Sequence, residues 1–340
     1  MPFIRESWYP ASWAEALGPD PLARTFLGEE VVLYRSESGA PVALSNMCPH
    51  RFAALAKGKR HGDSIACPYH GLRFGPDGQC THNPHGPATG AMRVRVWPLV
   101  ERHGMVWIWM GDPANADPAR VPVLATREDA RFDWVLGYLH VEGNYQLVID
   151  NLLDLTHVEF LHPFLADPTD TFPTEVTCSE QGDEVVSCYT RPQCNRTQLV
   201  SALWDDAPEV ISLISEMRWS APSNLIQRNG FDVPFHPDMN DTRVQVPFCH
   251  LLTPETEFTT HYFWAGGRNA KQGEDAVSQA FRFGVEGAFK GEDEPMIADI
   301  QQRMGTRDLF AMKPLLLPID KSAVLARRRV TALLQQEEGA

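Results

Sequence analysis

The chain has 340 residues, which is enough for two domains that each bury a substantial core. Hydrophobic residues make up 43% and charged residues 22%, as in an ordinary soluble globular protein, and no apolar run is long enough to cross a bilayer. The net charge of −14 disfavours nucleic acid as a partner, because phosphates would repel an acidic surface.

The N-terminus and the cysteines indicate the compartment. Residues 1–6 lack the apolar core of a signal peptide, which predicts a cytoplasmic location. The seven cysteines are odd in number, and those outside the motif described below show no disulfide-framework spacing. We therefore expect reduced thiols at Cys80, Cys178, Cys188, Cys194 and Cys249.

Short apolar, β-branched and aromatic runs separated by glycine turns fill the first third of the chain. They predict strands over residues 31–34, 41–44, 64–66 and 105–110, in an all-β sandwich or small barrel. Proline and aspartate break the pattern at 111–118. We place a domain boundary there, with one domain over residues 1–112 and a second over 113–340.

Two motifs in the first domain carry paired metal-ligand residues. Cys48-Pro49-His50 is followed, after sixteen residues, by Cys67-Pro68-Tyr69-His70. Each supplies one cysteine and one histidine, whereas structural zinc fingers more often keep the two types in separate halves. In a Rieske centre two cysteines hold one iron of a [2Fe–2S] cluster and two histidines hold the other. The motifs predict such a cluster on Cys48, His50, Cys67 and His70, with structural zinc as the alternative, and Gly71 then permits a tight turn.

The second domain mixes strands and helices. Residues 138–141, 185–189 and 259–264 read as extended, and residues 144–160 read as a helix. A helix from Asp275 to about Lys290 is predicted by apolar residues at every fourth position: Val277, Phe281, Val285 and Phe289. A last helix over 323–337 is expected at the surface.

A second group of metal-ligand residues lies at the end of the 144–160 segment and just after it. Asp154 and His157 are three apart and would project from one side of a helix. His157 and His162 are five apart, about 140° on an ideal helix, so both reach one ion only at a bulge or a helix end. Pro163 favours an end. Two imidazoles and a carboxylate on one face of Fe(II) leave positions open for oxygen and substrate.

Further segments extend the pattern across most of the chain, thinning between about 165 and 215. They are His82-Asn83-Pro84-His85-Gly86, Val106-Trp107-Ile108-Trp109, Asp150-Asn151-Leu152-Leu153-Asp154-Leu155-Thr156-His157 and Leu252-Thr253-Pro254-Glu255-Thr256. With the cluster motifs, they resemble the Rieske non-haem iron oxygenases of the vanillate and dicamba O-demethylase type. The resemblance implies an α+β chain: an N-terminal all-β Rieske [2Fe–2S] domain, then a helix-grip catalytic domain with an antiparallel sheet around a long helix.

The resemblance assigns the carboxylate ligand of the second metal, a mononuclear Fe(II), to Asp293, with Glu292 as the alternative. Pro295 would clash with the carbonyl of Gly291 in a straight helix, so we expect a kink that points Asp293 inward. The other interpretation is that Asp293 or Glu294 only caps a helix beginning at Pro295.

The resemblance also implies a bridge between subunits. Asp154 would hydrogen-bond His157 of its own subunit and the cluster ligand His70 of a neighbour, in a head-to-tail ring of three. The plain alternative is an exposed helical aspartate. Asn151 would lie one turn earlier, near the iron.

Candidates for the substrate pocket rest on weaker patterns. His250 resembles a family position that meets an anionic aromatic substrate, although a lone histidine on a strand more often is a satisfied core residue. Three further residues are candidate wall residues: Gln227, Phe283 and Trp264.

The resemblance implies a terminal oxygenase that uses O₂ to oxidise a small aromatic substrate, by O-demethylation of a methoxy-aromatic acid. The chain has no nucleotide fingerprint, so electrons would come from a separate NADH-dependent reductase with flavin and a ferredoxin-type centre. The alternatives are methyl or ring hydroxylation, N-demethylation, a Rieske electron carrier without oxygenase activity, and a zinc-stabilised binding protein.

A local basic group surrounds the cluster motifs in this acidic chain. It is either a solvated face or a docking patch for an acidic electron donor, since complementary charge speeds encounter. Its members are Arg51, Lys57, Lys59, Arg60 and Arg73.

Overall fold

The computed structural model describes residues 3–167 and 169–339, and the chain divides into two units. The first contains residues 1–122 with 253–256, and the second contains 123–252 and 257–340. The sequence predicts the boundary after residue 112, whereas the second unit begins at Val123. No helix in the described part of the chain is long and apolar enough to span a membrane.

Ten strands in three antiparallel sheets build the first unit. The sheet orders are β2-β3-β4, β5-β6-β7-β8 and β1-β10-β9. The strands are β1 (Trp8–Trp13), β2 (Leu22–Phe26), β3 (Glu29–Arg35), β4 (Pro41–Ser45), β5 (Lys59–His61), β6 (Ser64–Ala66), β7 (Arg73–Phe74), β8 (Cys80–His82), β9 (Leu99–Arg102) and β10 (Met105–Trp109). Short 3₁₀ turns connect them at Ala14–Ala16, Leu55–Lys57, Pro113–Asn115 and Pro118–Arg120. The predicted strands of the first domain are all present.

The core of this unit explains where the two cysteine loops sit. Val32 and Leu44 alternate inward from their strands and pack with Ile65 and Phe74, all of them fully buried. Burial of such side chains stabilises the fold by roughly 1.5–3 kcal/mol each. Cys48 and Cys67 belong to the same core cluster, whose members are Val32, Tyr34, Val42, Leu44, Cys48, Leu55, Ile65, Cys67, Leu72, Phe74 and Val94.

An eight-stranded sheet forms the second unit, in the order β11-β18-β17-β15-β14-β13-β12, with β16 paired to β15. Its strands are β11 (Asp133–Val141), β12 (Glu175–Gln181), β13 (Glu184–Asn195), β14 (Val210–Ser220), β15 (Asn224–Asp232), β16 (Val244–Gln245), β17 (Phe248–Pro254) and β18 (Thr260–Arg268). The helices are α1 (Tyr145–Leu153), α2 (Val158–Leu161), α3 (Gln198–Leu203), α4 (Asp275–Glu286), a π-helix (Gly287–Asp293), α5 (Glu294–Met304) and α6 (Lys321–Gly339). Further 3₁₀ turns are Ala125–Glu128, Met239–Asp241, Phe310–Met312 and Pro318–Asp320.

A long helical segment made of α4, the π-helix and α5 packs against this sheet. The four-residue period indicates the buried face, because Phe281 and Val285 are buried. The ring centroid of Phe281 lies 5.9 Å from that of Phe248 in β17, and Phe289 lies 5.8 Å from Trp264 in β18. The predicted start at Asp275 is confirmed, whereas the α-helical hydrogen bonding ends at Glu286 and becomes π-helical.

The single helix predicted over residues 144–160 is wrong. Asn144 caps α1, accepting from the Gln146 N–H at 3.0 Å, and α1 ends at Leu153. Asp154 then has an extended backbone, with φ −85° and ψ 97°. Its side chain binds the backbone of Thr156 instead, the local competition that makes aspartate a poor helix-interior residue. The helix therefore breaks between Asp154 and His157.

The C-terminal helix α6 is present but is not simply a surface helix. One face of it is buried, including the side chain of Arg327, which is 5% exposed. The Arg327 guanidinium binds both carboxylate oxygens of Asp150 in α1, with Nη2 2.6 Å from Oδ2 and Nε 3.0 Å from Oδ1. The basic stretch is predicted to be solvated from the sequence alone, because the partner of Arg327 lies 177 residues away and leaves no local signal.

Candidate metal centres

Two tight turns of the first unit present the four residues of the cysteine–histidine motifs. In each turn the cysteine carbonyl accepts from the N–H four residues later: Phe52 N to Cys48 O at 2.9 Å, and Gly71 N to Cys67 O at 3.1 Å. Gly71 has φ +75°, and an added Cβ would lie 3.1 Å from Pro84 Cγ. The predicted need for glycine at this turn is confirmed.

The two loops bring sulfur donors inward and imidazole donors outward. Cys48 and Cys67 are 1% and 3% exposed, and burial raises the pKa of the Cys48 thiol to about 11. The rings of His50 and His70 meet edge to face, with centroids 4.5 Å apart. The His70 Nδ1 atom is buried and has no hydrogen-bond partner. An orphaned imidazole nitrogen beside buried thiols fits a bound metal group.

The spacing of these four donors distinguishes a two-iron cluster site from a site for a single ion. Four ligands of one tetrahedral zinc would lie about 4 Å apart or closer. Among the described residues, the only three potential ligand atoms that lie within 4.8 Å of one another belong to a different group. The four motif residues therefore do not converge on one ion, which fits a cluster in which cysteines and histidines hold different irons.

That other group is His157, His162 and Asp293, in the second unit. His157 precedes α2 and His162 follows it, so the expected helix end is confirmed. Their Nε2 atoms are 3.2 Å apart, and Asp293 Oδ1 lies 3.5 Å from His157 Nε2 and 3.3 Å from His162 Nε2. Three ligands at right angles around an iron, with bonds of about 2.1 Å, would be about 3 Å apart. The three atoms thus form a nearly equilateral face.

Hydrogen bonds at the Nδ1 atoms set the tautomer of both imidazoles. His157 Nδ1 donates to the backbone carbonyl of Asp154, and His162 Nδ1 donates to Glu292 Oε2 at 2.7 Å. Each Nε2 then carries a lone pair toward the shared face. Burial opposes the charged form of His162, yet the carboxylates of Asp293 and Glu292 raise its pKa overall.

The π-helix places Asp293 at this face. Asp293 is 5% exposed and makes no side-chain cap for α5, so the capping interpretation is wrong. Wider π turns also accommodate Pro295, which sits in the first turn of α5. Asn151 Nδ2 donates to Asp293 Oδ1 at 2.9 Å. Burial alone would raise the pKa of Asp293, but the adjacent imidazoles of His157 and His162 lower it well below its usual value.

A cavity of about 100 Å³ lies in the second unit, and its described lining includes chain neighbours of these ligand candidates but none of the three themselves. Val158, next to His157 in the chain, lines it, and so do Ala288 and Phe289 of the π-helix that carries Asp293. Most lining side chains are apolar, which is typical of a small-molecule site.

The profile of the "Rieske [2Fe-2S] domain" matches residues 7–98, and that of the "Vanillate O-demethylase oxygenase C-terminal domain" matches residues 141–336. The second match covers more than half of the chain. The chain belongs to the Rieske oxygenase family. It is an oxygenase component with an N-terminal all-β Rieske domain and a sheet-and-helix catalytic domain, and hence an oxidoreductase of the monooxygenase type.

Three relatives illustrate the similarity. The oxygenase component of chloroacetanilide N-alkylformylase from Rhizorhabdus wittichii is 35% identical over 98% of this chain and 97% of its own. The oxygenase component of dicamba O-demethylase from Stenotrophomonas maltophilia is 34% identical over 99% of both. A crystal structure of dicamba monooxygenase bound to 3,6-dichlorosalicylic acid superposes with a TM-score of 0.92, at 32% identity over 99% of both chains.

Not all the predicted site residues make the contacts that the sequence analysis predicts. The Asp154 carboxylate does not contact His157, whose Nδ1 binds the Asp154 carbonyl instead. Asp154 Oδ1 accepts from Thr156 N at 2.9 Å and Thr156 Oγ1 at 2.6 Å. The exposed-helix alternative is also wrong, because Asp154 lies in the break after α1.

The candidate pocket residues divide into three kinds. Gln227 lines the cavity, as expected. His250 and Trp264 are buried behind the lining, at 1% and 0% exposure. Phe283 is 82% exposed on α4, on the opposite side from Phe281, so its assignment to the cavity wall is wrong.

His250 is held in a continuous polar chain under the cavity. Its Nδ1 lies 2.7 Å from the Tyr262 hydroxyl and its Nε2 lies 3.2 Å from Gln227 Oε1. Burial lowers the pKa of His250 to about 3, so the ring is neutral. Gln227 Nε2 continues the chain to Ser215 Oγ at 3.2 Å and Asn229 Oδ1 at 3.1 Å.

Sequence reasoning missed two kinds of site residue. The sequence offers Glu292 only as the alternative ligand, whereas in the structure it is the hydrogen-bond partner of His162. Arg191 and Asp170 line the cavity as a buried ion pair, with Nη2 2.8 Å from Oδ1. Only a charged residue inside the β-branched strand β13 could have indicated such a pair in advance.

Proposed function

We propose that this oxygenase component catalyses oxidative O-demethylation of a methoxy-aromatic compound. The proposal rests mainly on the face of His157, His162 and Asp293 beside an apolar cavity. Two imidazoles and one carboxylate on a face are the ligand set of non-haem Fe(II) oxygenases. One oxygen atom would enter the substrate methyl group and the other would become water, and the resulting hemiacetal would release formaldehyde.

In this proposal Cys48, His50, Cys67 and His70 hold the cluster, and His157, His162 and Asp293 hold Fe(II). When bound, the cluster supplies single electrons and the iron supplies dioxygen activation. The remaining residues orient these ligands: Glu292 and the Asp154 carbonyl fix the imidazole tautomers, and Asn151 holds one oxygen of Asp293. We place the catalytic domain after the Rieske domain, from residue 113 onward.

We further propose that electrons come from a reductase with flavin and a ferredoxin-type centre that uses NADH. The basic residues around the cluster loops support an acidic donor, because Arg51, Lys57 and Lys59 have exposed or largely exposed positions in an otherwise acidic chain. A cytoplasmic location is proposed with it, and the five cysteines outside the cluster motifs, none of them in a disulfide, support that location.

Assembly into a ring of three would bring the cluster of one copy to the iron site of the next. Asp154 is the proposed contact. Its Oδ1 is engaged by Thr156, and Oδ2 would accept from His70 of the neighbouring copy. Since the His157 Nδ1 is held by the Asp154 carbonyl, one residue would connect both metal sites.

N-Dealkylation of an aromatic amide is the second candidate. The relative that shares 35% identity over 98% of this chain is named a chloroacetanilide N-alkylformylase. The same cavity and ligand face would serve both reactions, because oxidation of a carbon attached to oxygen or to nitrogen differs only in the leaving atom.

A substrate panel with a compatible reductase tests the proposal. Methoxybenzenes, N-alkylanilides and toluenesulfonates are incubated with the oxygenase, NADH and O₂, and formaldehyde and the dealkylated product are quantified. We expect equimolar formaldehyde and phenol from at least one methoxy compound. Hydroxylation of the ring or of a carbon-bound methyl group without formaldehyde, across the whole panel, would contradict it.

A further inference from the structure

The charges around the cavity of the second unit bear on the class of substrate. Among its described lining residues, three have an acidic or basic side chain: Asp167, Asp170 and Arg191. Tyr189 and Cys194 also line it, and burial raises the pKa of Cys194 to about 12, so neither adds a charge. The lining therefore carries two carboxylates and one cation.

The single cation is already neutralised. The Arg191 side chain is 4% exposed, and its Nη2 lies 2.8 Å from Asp170 Oδ1, whose side chain is 2% exposed. The same Nη2 donates to the Phe172 carbonyl at 3.0 Å, and Nη1 lies 3.9 Å from Glu159 Oε1. Arg191 Nε is buried without a hydrogen-bond partner, but an anion bound there would still face the carboxylate of Asp170, which already balances the guanidinium charge.

The carboxylates are fixed as well. Asp170 accepts from the backbone N–H groups of Phe172 at 2.8 Å and Asn195 at 2.6 Å. Asp167 accepts from Thr169 and from Asn195 Nδ2 at 2.8 Å. Neither can move its negative charge away from the cavity without losing these bonds.

The polar floor of the cavity offers amide and hydroxyl groups in place of a cation. Gln227, Asn229 and Ser215 line it, and they bond one another. His250 behind them is neutral, and both its ring nitrogens are engaged by Tyr262 and Gln227. A carboxylate entering this cavity would lose its hydration without gaining a counter-ion from the lining side chains, whereas a carbonyl or ether would lose much less.

We propose that the substrate is an uncharged aromatic ether or amide rather than an aromatic carboxylate. The expectation of an acid came from family resemblance alone and not from these residues. The inference rests on the proposed function, because it assumes that the cavity beside the ligand face binds the substrate.

Binding without turnover tests the inference. The Fe(II)-loaded oxygenase is kept anaerobic and titrated calorimetrically with 2-, 3- and 4-methoxybenzamide and with the matching methoxybenzoates, which have the same size. We expect the best amide to bind at least tenfold more tightly than its benzoate. Equal or weaker binding of the amides, or no binding by any amide, overturns the proposal.

Two variants make the test specific to the cavity. Asp170→Asn keeps the acceptor oxygen but removes the counter-charge of Arg191, so the preference for amide over benzoate should fall at least fivefold. Asp183→Asn is the matched control, since it removes the same charge from a fully exposed carboxylate near Arg329. An unchanged preference in Asp170→Asn would contradict the charge argument. The wild-type comparison remains decisive if that variant does not fold.

The two proposals fail separately. Tight amide binding without formaldehyde from any methoxy compound would end the proposed O-demethylation and leave the charge inference standing. Tight benzoate binding with formaldehyde release would overturn the charge inference and leave the proposed O-demethylation standing.

Discussion

At the scale of single residues, two adjacent carboxylates have different tasks. Asp293 points its Oδ1 at both imidazole Nε2 atoms, whereas Glu292 binds the Nδ1 of His162, on the far side of the ring. Only Asp293 shares a face with both histidines, so we assign it as the ligand and Glu292 as a positioning residue. The assignment is testable because the two roles affect metal binding to different extents.

Asp293→Ala should abolish iron binding at the second site, whereas Glu292→Gln should keep the iron with roughly 10–100-fold weaker affinity. Isothermal titration of the chelator-treated variants with Fe(II) under argon measures both. Glu286→Gln, which alters a half-exposed carboxylate on α4, should bind iron like the wild type. If Glu292→Gln loses the iron and Asp293→Ala retains it, the two roles are reversed.

The sequence predicted the histidines of this site better than the carboxylate. Their five-residue spacing and Pro163 indicated a helix end, and the structure has one. Asp293 was chosen by resemblance, because which of two adjacent side chains faces inward depends on the local helical phase. A π-helix shifts that phase, and its hydrogen bonding leaves no simple residue pattern.

At the scale of elements, the C-terminal helix α6 stabilises the helix that carries Asn151. Arg327 reaches Asp150 with two nitrogens and Gln146 Oε1 with a third, at 3.1 Å. Asp150 precedes Asn151, which in turn binds Asp293. The sequence predicted α6 from its composition, but not this ion pair, because a contact between residues so distant in the chain has no local signal.

Arg327→Met should lower the free energy of unfolding by about 3–5 kcal/mol, because it leaves the Asp150 carboxylate buried without a partner. Urea denaturation followed by circular dichroism measures the change. Arg329→Met removes a cation of the same helix whose partner Asp183 is fully exposed, so its unfolding curve should overlay that of the wild type. Equal stability of the two variants would show that the Arg327–Asp150 pair contributes nothing.

At the scale of the whole molecule, the chain carries two metal centres in separate units. The cluster motifs were predictable because all four ligands lie within 23 residues and in tight turns whose chemistry is local. The cavity was less predictable, since its walls come from β13, β14, β15, β17 and the π-helix together. Gln227 could be selected from the sequence, but Arg191 and Asp170 could not.

A chelator should remove the three-ligand iron and leave the cluster in place. A metal on the His157 face would have only three protein ligands, whereas the cluster sulfurs are buried. We expect treated protein to keep its visible cluster spectrum, with a potential within roughly −150 to +300 mV, and to lose product formation. Fe(II), but not Zn(II), should restore turnover. Loss of labile sulfide in parallel with activity would contradict this separation.

The variant Asp154→Asn tests the proposed ring. It keeps Oδ1, and hence the bonds from Thr156, but replaces Oδ2 by a donor that cannot accept from the neighbour's imidazole. We expect unchanged metal content and trimeric mass, and at least tenfold slower product formation. Light scattering and steady-state assays measure these quantities. Wild-type rates in the variant, or a monomeric active wild type, would exclude the bridge.

The most direct test of the account is a single turnover. The oxygenase is reduced at its cluster, separated from the reductase, and mixed with a methoxy-aromatic substrate and O₂, while cluster reoxidation and formaldehyde are followed together. We expect both to occur at the same rate in the wild type. In His162→Ala, which removes one corner of the ligand face, the substrate-dependent reoxidation and the product should both disappear. Product formation by His162→Ala, or reoxidation of wild-type protein without any product, would contradict the central claim that cluster electrons are used at the His157, His162 and Asp293 site.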